Sequence, residues 1–242
     1  MKKVLALMAF AAAMFVSCDI NDPDDPDNPG GGGNYKAPIV IDGDFADWAK
    51  LDAGKVIELK CAATAAAKDL KLAKIYADKY FVYIYVEFNF SAYDGDVKNG
   101  HFHFYFNSDN NTETGAYEGE WDQGETPCID VMAEGDVITE GALCDNYDPT
   151  IYTWEGPVHQ ADWDDAYWVE AEANMFATGK GTKKAFEFRI TRELCPGGKL
   201  AKTFTMGMDI CVNGWDASGA LPNTDATDTN PAGRAPLVTV SI

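Results

Sequence analysis

The sequence predicts an all-β protein, an antiparallel β-sandwich of the jelly-roll or immunoglobulin-like type with long loops and little helix. Many short segments alternate apolar and polar residues, which is the periodicity of a strand with one buried face. Turn-forming glycine, asparagine and aspartate separate these segments. Residues 35–242 are therefore predicted to form one sandwich domain, and a single β-core of that size is ordinary.

The clearest strand signal is LKLAKIYADKYFVYIYVEFNF, residues 70–90. It predicts two strands joined at Asp78-Lys79, the second of them apolar on both faces and so covered on both sides or bordering a ligand surface. Further strands are predicted within residues 101–111, 185–194, 203–215 and 235–242. The short run Ile39–Ile41 is predicted to be a strand entering a turn, and the alanine-rich segment 61–70 is the one weak helix candidate.

Residues 1–18, MKKVLALMAFAAAMFVSC, have the layout of a secretory signal peptide, with an apolar part too short to span a bilayer. The ending FVSC resembles the lipobox of bacterial lipoproteins, which implies cleavage and diacylation at Cys18. An ordinary signal peptide cut near Ser17 is the alternative.

Residues 19–34 contain five aspartates, three prolines and four consecutive glycines, so they are predicted to be a flexible tether. The acidic tract after the cysteine resembles the surface-export signal of Bacteroidetes lipoproteins. A solubilising spacer on a periplasm-facing lipoprotein is equally consistent with the composition. The expected location is the outer membrane, at the cell surface or the periplasmic face, with the lipid on Cys18 as the membrane contact.

The formal net charge of −20 limits the partners. A field of this sign repels phosphate backbones, so nucleic acid is not expected as a partner. Neutral or cationic ligands and metal ions remain open. The five cysteines after Cys18 are an odd number without CxxC or Cys/His metal spacing, and they are predicted to be small core residues.

An ordered set of segments resembles family 9 carbohydrate-binding modules and their superfamily. The set runs IDGDFADW, LAKIYAD, KYFVYIYVEF, FHFYFNSDNNTETG, KAFEFRIT and MGMDICVNGWD, and it covers nearly all of residues 39–240. The resemblance implies a β-sandwich in which Trp48 packs in the core beneath the first strand pair and Asp42-Gly43 forms a turn. The alternative is that Trp48 is a sugar-binding platform. The segment 115–179 matches no part of the pattern.

Sugar recognition needs exposed aromatic rings beside hydrogen-bonding groups. The tryptophans of predicted loops are Trp121, Trp154, Trp163 and Trp215, and the polar neighbours expected to contact ligand are Asp164, Asn213 and Asp216. Loop aromatics can instead form small apolar clusters of their own. Trp168 lies in a strand-like segment and is predicted to be a core residue.

Two groups of residues have metal-ligand chemistry. Asp109, Asn111 and Glu113 alternate before a glycine and offer oxygen ligands for a structural calcium ion, although an acidic loop with Asx turns would look the same. His101 and His103 lie on one strand face and could hold zinc or copper. Because no third ligand is evident in the sequence, a polar strand face is the favoured interpretation of the histidines.

The expected function is non-catalytic binding of a polysaccharide or oligosaccharide by a lipid-anchored envelope protein, with outer-membrane glycan-uptake proteins as partners. One alternative is a glycoside-processing enzyme whose catalytic carboxylates lie within 115–179. A second is a haem-binding domain with His159 and Met132 as axial ligands. No serine-nucleophile, phosphate-loop or zinc-protease motif is present.

The anchor can be tested directly. Cys18→Ala removes the only predicted lipidation site, so the variant should remain an unlipidated precursor that fractionates away from membranes. Membrane fractionation with a lipid-labelling assay measures this. Stable membrane association of the variant would contradict the lipoprotein prediction.

Overall fold

A computed structural model describes residues 35–94, 96–115, 128–154, 167–169, 176–193 and 199–242. Within it, Ile39–Ile242 form one compact unit. Among the described residues, no helix combines the length and apolar character needed to cross a membrane.

The regular secondary structure of the described residues is almost entirely strand. The strands are β1 (Ile57–Lys60), β2 (Leu70–Ala77), β3 (Phe81–Phe88), β4 (Gly100–Asn107), β5 (Val131–Thr139), β6 (Ala142–Leu143), β7 (Thr150–Thr153), β8 (Tyr167–Val169), β9 (Ala177–Gly181), β10 (Ala185–Thr191), β11 (Thr203–Val212), β12 (Ala217–Leu221) and β13 (Val238–Ser241). Three short 3-10 helices cover Phe45–Lys50, Ala53–Lys55 and Phe90–Tyr93.

These strands form two antiparallel sheets. The five-stranded sheet has the order β1-β2-β3-β10-β9. The eight-stranded sheet has the path β12-β11-β4-β5-β7-β8, with β13 paired to β11 and β6 paired to β5. All the pairings between the described strands are antiparallel, which confirms the predicted fold class.

The core lies between the sheets and is rich in phenylalanine. Alternate residues of β4 and β10 point inward, so aromatic rings of the two sheets meet in the middle. Phe188 of β10 lies 4.8 Å from Phe102 and 4.9 Å from Phe104 of β4, measured between ring centroids. All three side chains are fully buried, and each such ring buries roughly 150–250 Å². Their burial requires the residues between them to point outward.

The periodicity of the sequence placed most of the long strands correctly. β2 and β3 lie on either side of Asp78-Lys79, and β4, β10, β11 and β13 fall within or overlap their predicted segments. β3 is covered on both faces, as predicted, because Tyr83 on one face and Val82 on the other are both fully buried.

Two local predictions were wrong. Segment 61–70 contains no helix, since its backbone is bound by distant side chains: the amide of Ala62 donates to Asn223 (2.8 Å) and that of Thr64 to Asp225 (3.0 Å). Residues 39–41 form no strand either. The chain there turns at Gly43, whose φ of +84° is readily adopted only by glycine.

Trp48 is buried, as predicted, but it lies on the outer side of the five-stranded sheet. It belongs to the 3-10 helix Phe45–Lys50, is 7% exposed, and its ring centroid is 5.8 Å from that of Tyr85 on β3. Its indole Nε1 donates a 3.2 Å hydrogen bond to Glu187 on β10. The opening motif therefore covers one face of the sheet, and Trp48 is a structural residue.

Glu187 connects that motif to the sheet. Its other carboxylate oxygen accepts hydrogen bonds from the backbone amides of Asp42 (3.1 Å) and Gly43 (2.9 Å). The side chain is fully buried. Burial raises the pKa of Glu187, and the hydrogen bonds from Gly43, Trp48 and Asp42 oppose that rise. Three donors thus compensate a carboxylate that would otherwise be costly to bury.

Two substitutions at position 48 separate packing from hydrogen bonding. Trp48→Ala should lower the free energy of unfolding by roughly 3–5 kcal/mol through lost burial and a cavity. Trp48→Phe keeps an aromatic ring but removes the N–H that donates to the carboxylate of Glu187. The loss of this hydrogen bond should lower the free energy of unfolding by about 1.5–3 kcal/mol. Chemical denaturation measures both. Unchanged stability of Trp48→Ala would contradict the structural role.

Candidate functional site on the outer face of the eight-stranded sheet

The outer face of the eight-stranded sheet, the side turned away from the core, carries polar and titratable side chains on three adjacent strands. Because the phenylalanines of β4 point inward, the residues between them point outward. The register places outward residues of β11 and β5 directly beside those of β4. These side chains are His101, His103 and Tyr105 from β4, Glu134 and Asp136 from β5, and Asp209 and Cys211 from β11.

His103 lies between two carboxylates. Its Nδ1 is 2.5 Å from Oδ1 of Asp209, and its Nε2 is 3.2 Å from Oε2 of Glu134. Burial alone would lower the pKa of His103. The charge of Asp209 and the hydrogen bond to it outweigh burial and raise that pKa well above its ordinary value. The ring is therefore held as an imidazolium that donates from both nitrogens.

Asp209 and Cys211 complete the surroundings of this ring. The second oxygen of Asp209 accepts a 3.1 Å hydrogen bond from the hydroxyl of Tyr105. The Sγ of Cys211 lies 3.9 Å from Nδ1 of His103 and 3.3 Å from the backbone oxygen of Trp215. Burial raises the pKa of Cys211, so the group is a neutral thiol that donates to the Trp215 carbonyl. His103, Asp209, Cys211 and Glu134 are called the His103 cluster below.

His101, two residues along β4, supports an exposed tryptophan. Its ring stacks on that of Trp215, with centroids 4.1 Å apart and planes inclined by 7°. The Nδ1 of His101 is 2.5 Å from Oδ1 of Asp136, which fixes the imidazole. Trp215 is 66% exposed, so one face of its indole is covered by His101 and much of the remaining surface meets solvent.

The β11–β12 turn positions Trp215. Asn213 has a left-handed φ of +58°, and its side-chain oxygen accepts from the amides of Lys98 (2.7 Å) and Asn99 (3.1 Å). Its side-chain nitrogen donates to the backbone oxygen of Asp96. The side-chain amide of Asn213 therefore holds the turn in place, while Asp216 beside Trp215 is exposed.

Of the four tryptophans predicted to bind sugar, the structure places Trp215 on this face. Trp154 is 3% exposed and packs in a small apolar cluster with Tyr105, Ile129 and Met132, which is the alternative that loop aromatics allow. As placed, its ring is buried, and its predicted role as a sugar-binding platform stays a prediction. Trp121, Trp163 and Asp164 lie outside the described residues. Trp168 lies in β8, opposite Tyr152 of β7, as expected of a strand residue.

Of the two predicted haem ligands, His159 and Met132, the structure describes Met132. Met132 is buried in the apolar cluster of Trp154. His159 lies outside the described residues, as do Cys18 and Cys195. The cysteines that are described, Cys61, Cys128, Cys144 and Cys211, are free thiols, two of them buried and two half-buried.

The acidic loop after β4 is built from Asx turns. The Asp109 side chain accepts from the amide of Asn111 (2.8 Å), and the Asn111 side chain accepts from the amide of Glu113 (2.9 Å). Thr114 donates to the second Asp109 oxygen. The loop therefore has the Asx turns that the sequence offered as the alternative to a calcium site. Calcium binding by Asp109, Asn111 and Glu113 stays a prediction.

Sequence reasoning missed the partners of His103. Asp209 and Cys211 alternate with the apolar residues of β11, and this alternation was the available signal. Only the register of β4 with β11 and β5 brings these residues to the histidine. A neighbouring strand therefore supplies two ligand-type groups beside His103, while His101 stacks on Trp215 and is not part of this group.

Comparisons with known proteins identify no family. No family model matches the chain, and no curated protein matches it. Among solved structures, it is similar to a family 9 carbohydrate-binding module from Caldicellulosiruptor kristjanssonii in complex with glucose, at 12% identity and a TM-score of 0.36 over 86% of this chain and 92% of that one. It is also similar to a family 9 module from the same organism in complex with cellotriose, at 12% identity and a TM-score of 0.35, with 86% and 90% covered.

Asp130, just before β5, supports the acidic loop and makes stability depend on pH. Its Oδ2 accepts from the amide (2.7 Å) and the hydroxyl (3.0 Å) of Ser108. Burial nevertheless raises its pKa to about 6 from the model-compound value of 3.8. Between these values the folded chain keeps a proton that the unfolded chain has released, so raising the pH through this window lowers this group's contribution to stability.

Asp130→Asn should therefore remove a component of the pH dependence. The free energy of unfolding of wild type minus that of the variant should fall as pH rises from about 4 to about 6, and be flat on either side. Denaturant titrations at several pH values measure it. The exposed Asp228→Asn is the control for charge change, and an identical profile in the two variants would refute the assignment.

Proposed function

We propose that this protein binds carbohydrate without cleaving it, at a site on the outer face of the eight-stranded sheet centred on Trp215. The observation that carries the proposal is the exposed indole of Trp215 stacked on His101. Among the exposed large hydrophobic side chains of the described residues, which are Val40, Trp215 and Ile242, it is the aromatic one.

The stack prepares the ring for a ligand. Sugars present flat apolar C–H faces that pack on aromatic rings, and an indole combines a large apolar face with little conformational freedom. His101 covers one face and is itself held by Asp136. Because the ring is positioned before the ligand arrives, binding loses less side-chain entropy.

Polar groups for hydroxyl recognition lie beside the ring. Asp216 follows Trp215 directly and is exposed, and Asp136 is partly exposed next to His101. Carboxylates accept hydrogen bonds from sugar hydroxyls. The net charge of −20 favours neutral glycans over acidic ones, because like charge repels the latter.

The cell-envelope setting belongs to the same proposal and rests on residues 1–34. A lipobox-like FVSC and an acidic tether support a lipid-anchored outer-membrane protein that holds its domain at the membrane surface. Outer-membrane glycan-uptake proteins are the partners that this setting favours.

The enzymatic alternative is an outcome of the same experiment. Glu134 and Asp136, which lie within 115–179, each contact a histidine of β4. Incubation with each bound glycan followed by product analysis distinguishes binding from cleavage. Release of shorter sugars by the purified chain would replace the binding proposal with the glycosidase alternative.

Trp215→Ala tests the site. We expect at least roughly 30-fold weaker binding of the glycan selected on an array, with glucose and cellotriose as first probes, because an aromatic anchor dominates such a site. Thermal stability should change little, since the lost side chain is exposed. Isothermal titration and tryptophan fluorescence measure both quantities.

Val40→Ala is the matched control, because it removes an exposed apolar side chain far along the sequence from the outer face. It should bind like wild type. If Trp215→Ala binds every glycan that wild type binds with equal affinity, the site is wrong. If wild type binds none, carbohydrate binding itself is refuted.

A further inference from the structure

The His103 cluster contains three potential metal ligands of different chemistry. Nδ1 of His103, a carboxylate oxygen of Asp209 and Sγ of Cys211 all lie within 4.8 Å of one another. The three residues are 5%, 1% and 2% exposed. Sugar binding at Trp215 uses none of these side chains, so the cluster needs its own explanation.

The distances are close to those of a metal site without its ion. Two ligands at about 2.1 Å from a tetrahedral zinc are about 3.4 Å apart, and a nitrogen and a thiolate sulfur are slightly farther apart. The Nδ1–Sγ separation is 3.9 Å, so it needs a small contraction. The Nδ1–Oδ1 separation of 2.5 Å is a hydrogen bond that must open by about 0.9 Å, with the ion replacing the shared proton.

The surrounding groups orient these ligands. A histidine that binds a metal through one nitrogen usually donates the other N–H to a carboxylate, and Nε2 of His103 faces Glu134 in this way. Ligating carboxylates are likewise hydrogen-bonded, and the second oxygen of Asp209 accepts from Tyr105. The cluster therefore has an inner set of three ligands and an outer set of two supporting groups.

We propose that His103, Asp209 and Cys211 bind a divalent transition-metal ion, Zn²⁺, through Nδ1, a carboxylate oxygen and the thiolate. The mixed nitrogen, oxygen and sulfur set suits zinc and disfavours hard ions such as calcium and magnesium. Glu134 is a positioning residue that acts through His103. Binding releases two protons to solvent, the Nδ1 proton shared by His103 and Asp209 and the thiol proton of Cys211, and a water takes the fourth position.

Cobalt is the spectroscopic probe. Co²⁺ added to the reduced, chelator-treated full chain should produce a thiolate-to-cobalt charge-transfer band that saturates at one equivalent and is abolished by excess Zn²⁺. X-ray absorption of the zinc-loaded wild type should show one sulfur and the remaining ligands nitrogen or oxygen. No band in wild type, or a coordination shell without sulfur, overturns the proposal.

Variants assign the ligands. Cys211→Ser should abolish the charge-transfer band, while Cys144→Ser, which changes a half-buried cysteine that contacts Thr139, should keep it. Glu134→Gln should keep the band but weaken binding roughly 10–100-fold. Zn²⁺ should raise the Tm of wild type and Cys144→Ser.

Near-UV circular dichroism establishes that Cys211→Ser is folded, and the wild-type absorption experiment decides the matter if it is not. A band retained in folded Cys211→Ser overturns the proposal. An unchanged affinity in Glu134→Gln removes its positioning role. None of these measurements uses a glycan, and the Trp215→Ala titration tests glycan binding separately.

Discussion

The antiparallel register between β4 and β11 is the constraint on which both the core and the outer face depend. It pairs His103 with Asp209 and His101 with Cys211, while the phenylalanines that alternate with the outward residues of β4 point into the sandwich. Strand side chains alternate with a period of two. A slip of one residue would therefore expose the aromatic core and bury the charged side chains of the outer face. Packing of the inner face therefore also determines which side chains meet on the outer face.

The ionic pairing on that face is an expensive way to hold two strands together. Desolvating an imidazolium and a carboxylate costs several kcal/mol per ion, so a buried pair is weak support for stability in itself. The cost is offset here by second hydrogen bonds, from Tyr105 to Asp209 and from His103 to Glu134. What the arrangement provides is specificity: a mispaired β11 would leave buried charges without partners, which costs more than the pair contributes.

The sequence predicted elements whose signal is local and failed where distant groups decide. Alternation along β4 was readable because the core imposes it on every second residue. Segment 61–70 is alanine-rich, but its backbone amides donate to the side chains of Asn223 and Asp225. Such tertiary hydrogen bonds override helix propensity. The histidines were found and their partners were not, because Asp209 lies 106 residues from His103 in sequence and only strand register joins them.

The two proposed sites meet at the end of β11, so binding at one site can change binding at the other. The thiol of Cys211 donates to the carbonyl of Trp215, and Asn213 holds the same turn against residues 98–99. A thiolate bound to zinc has no proton to donate, so metal loading removes one of the bonds that position the Trp215 turn. The ring still stacks on His101, whose support from Asp136 does not involve the metal ligands. Any change in glycan affinity that zinc causes must equal the change in zinc affinity that the glycan causes, because coupling between two binding equilibria is reciprocal.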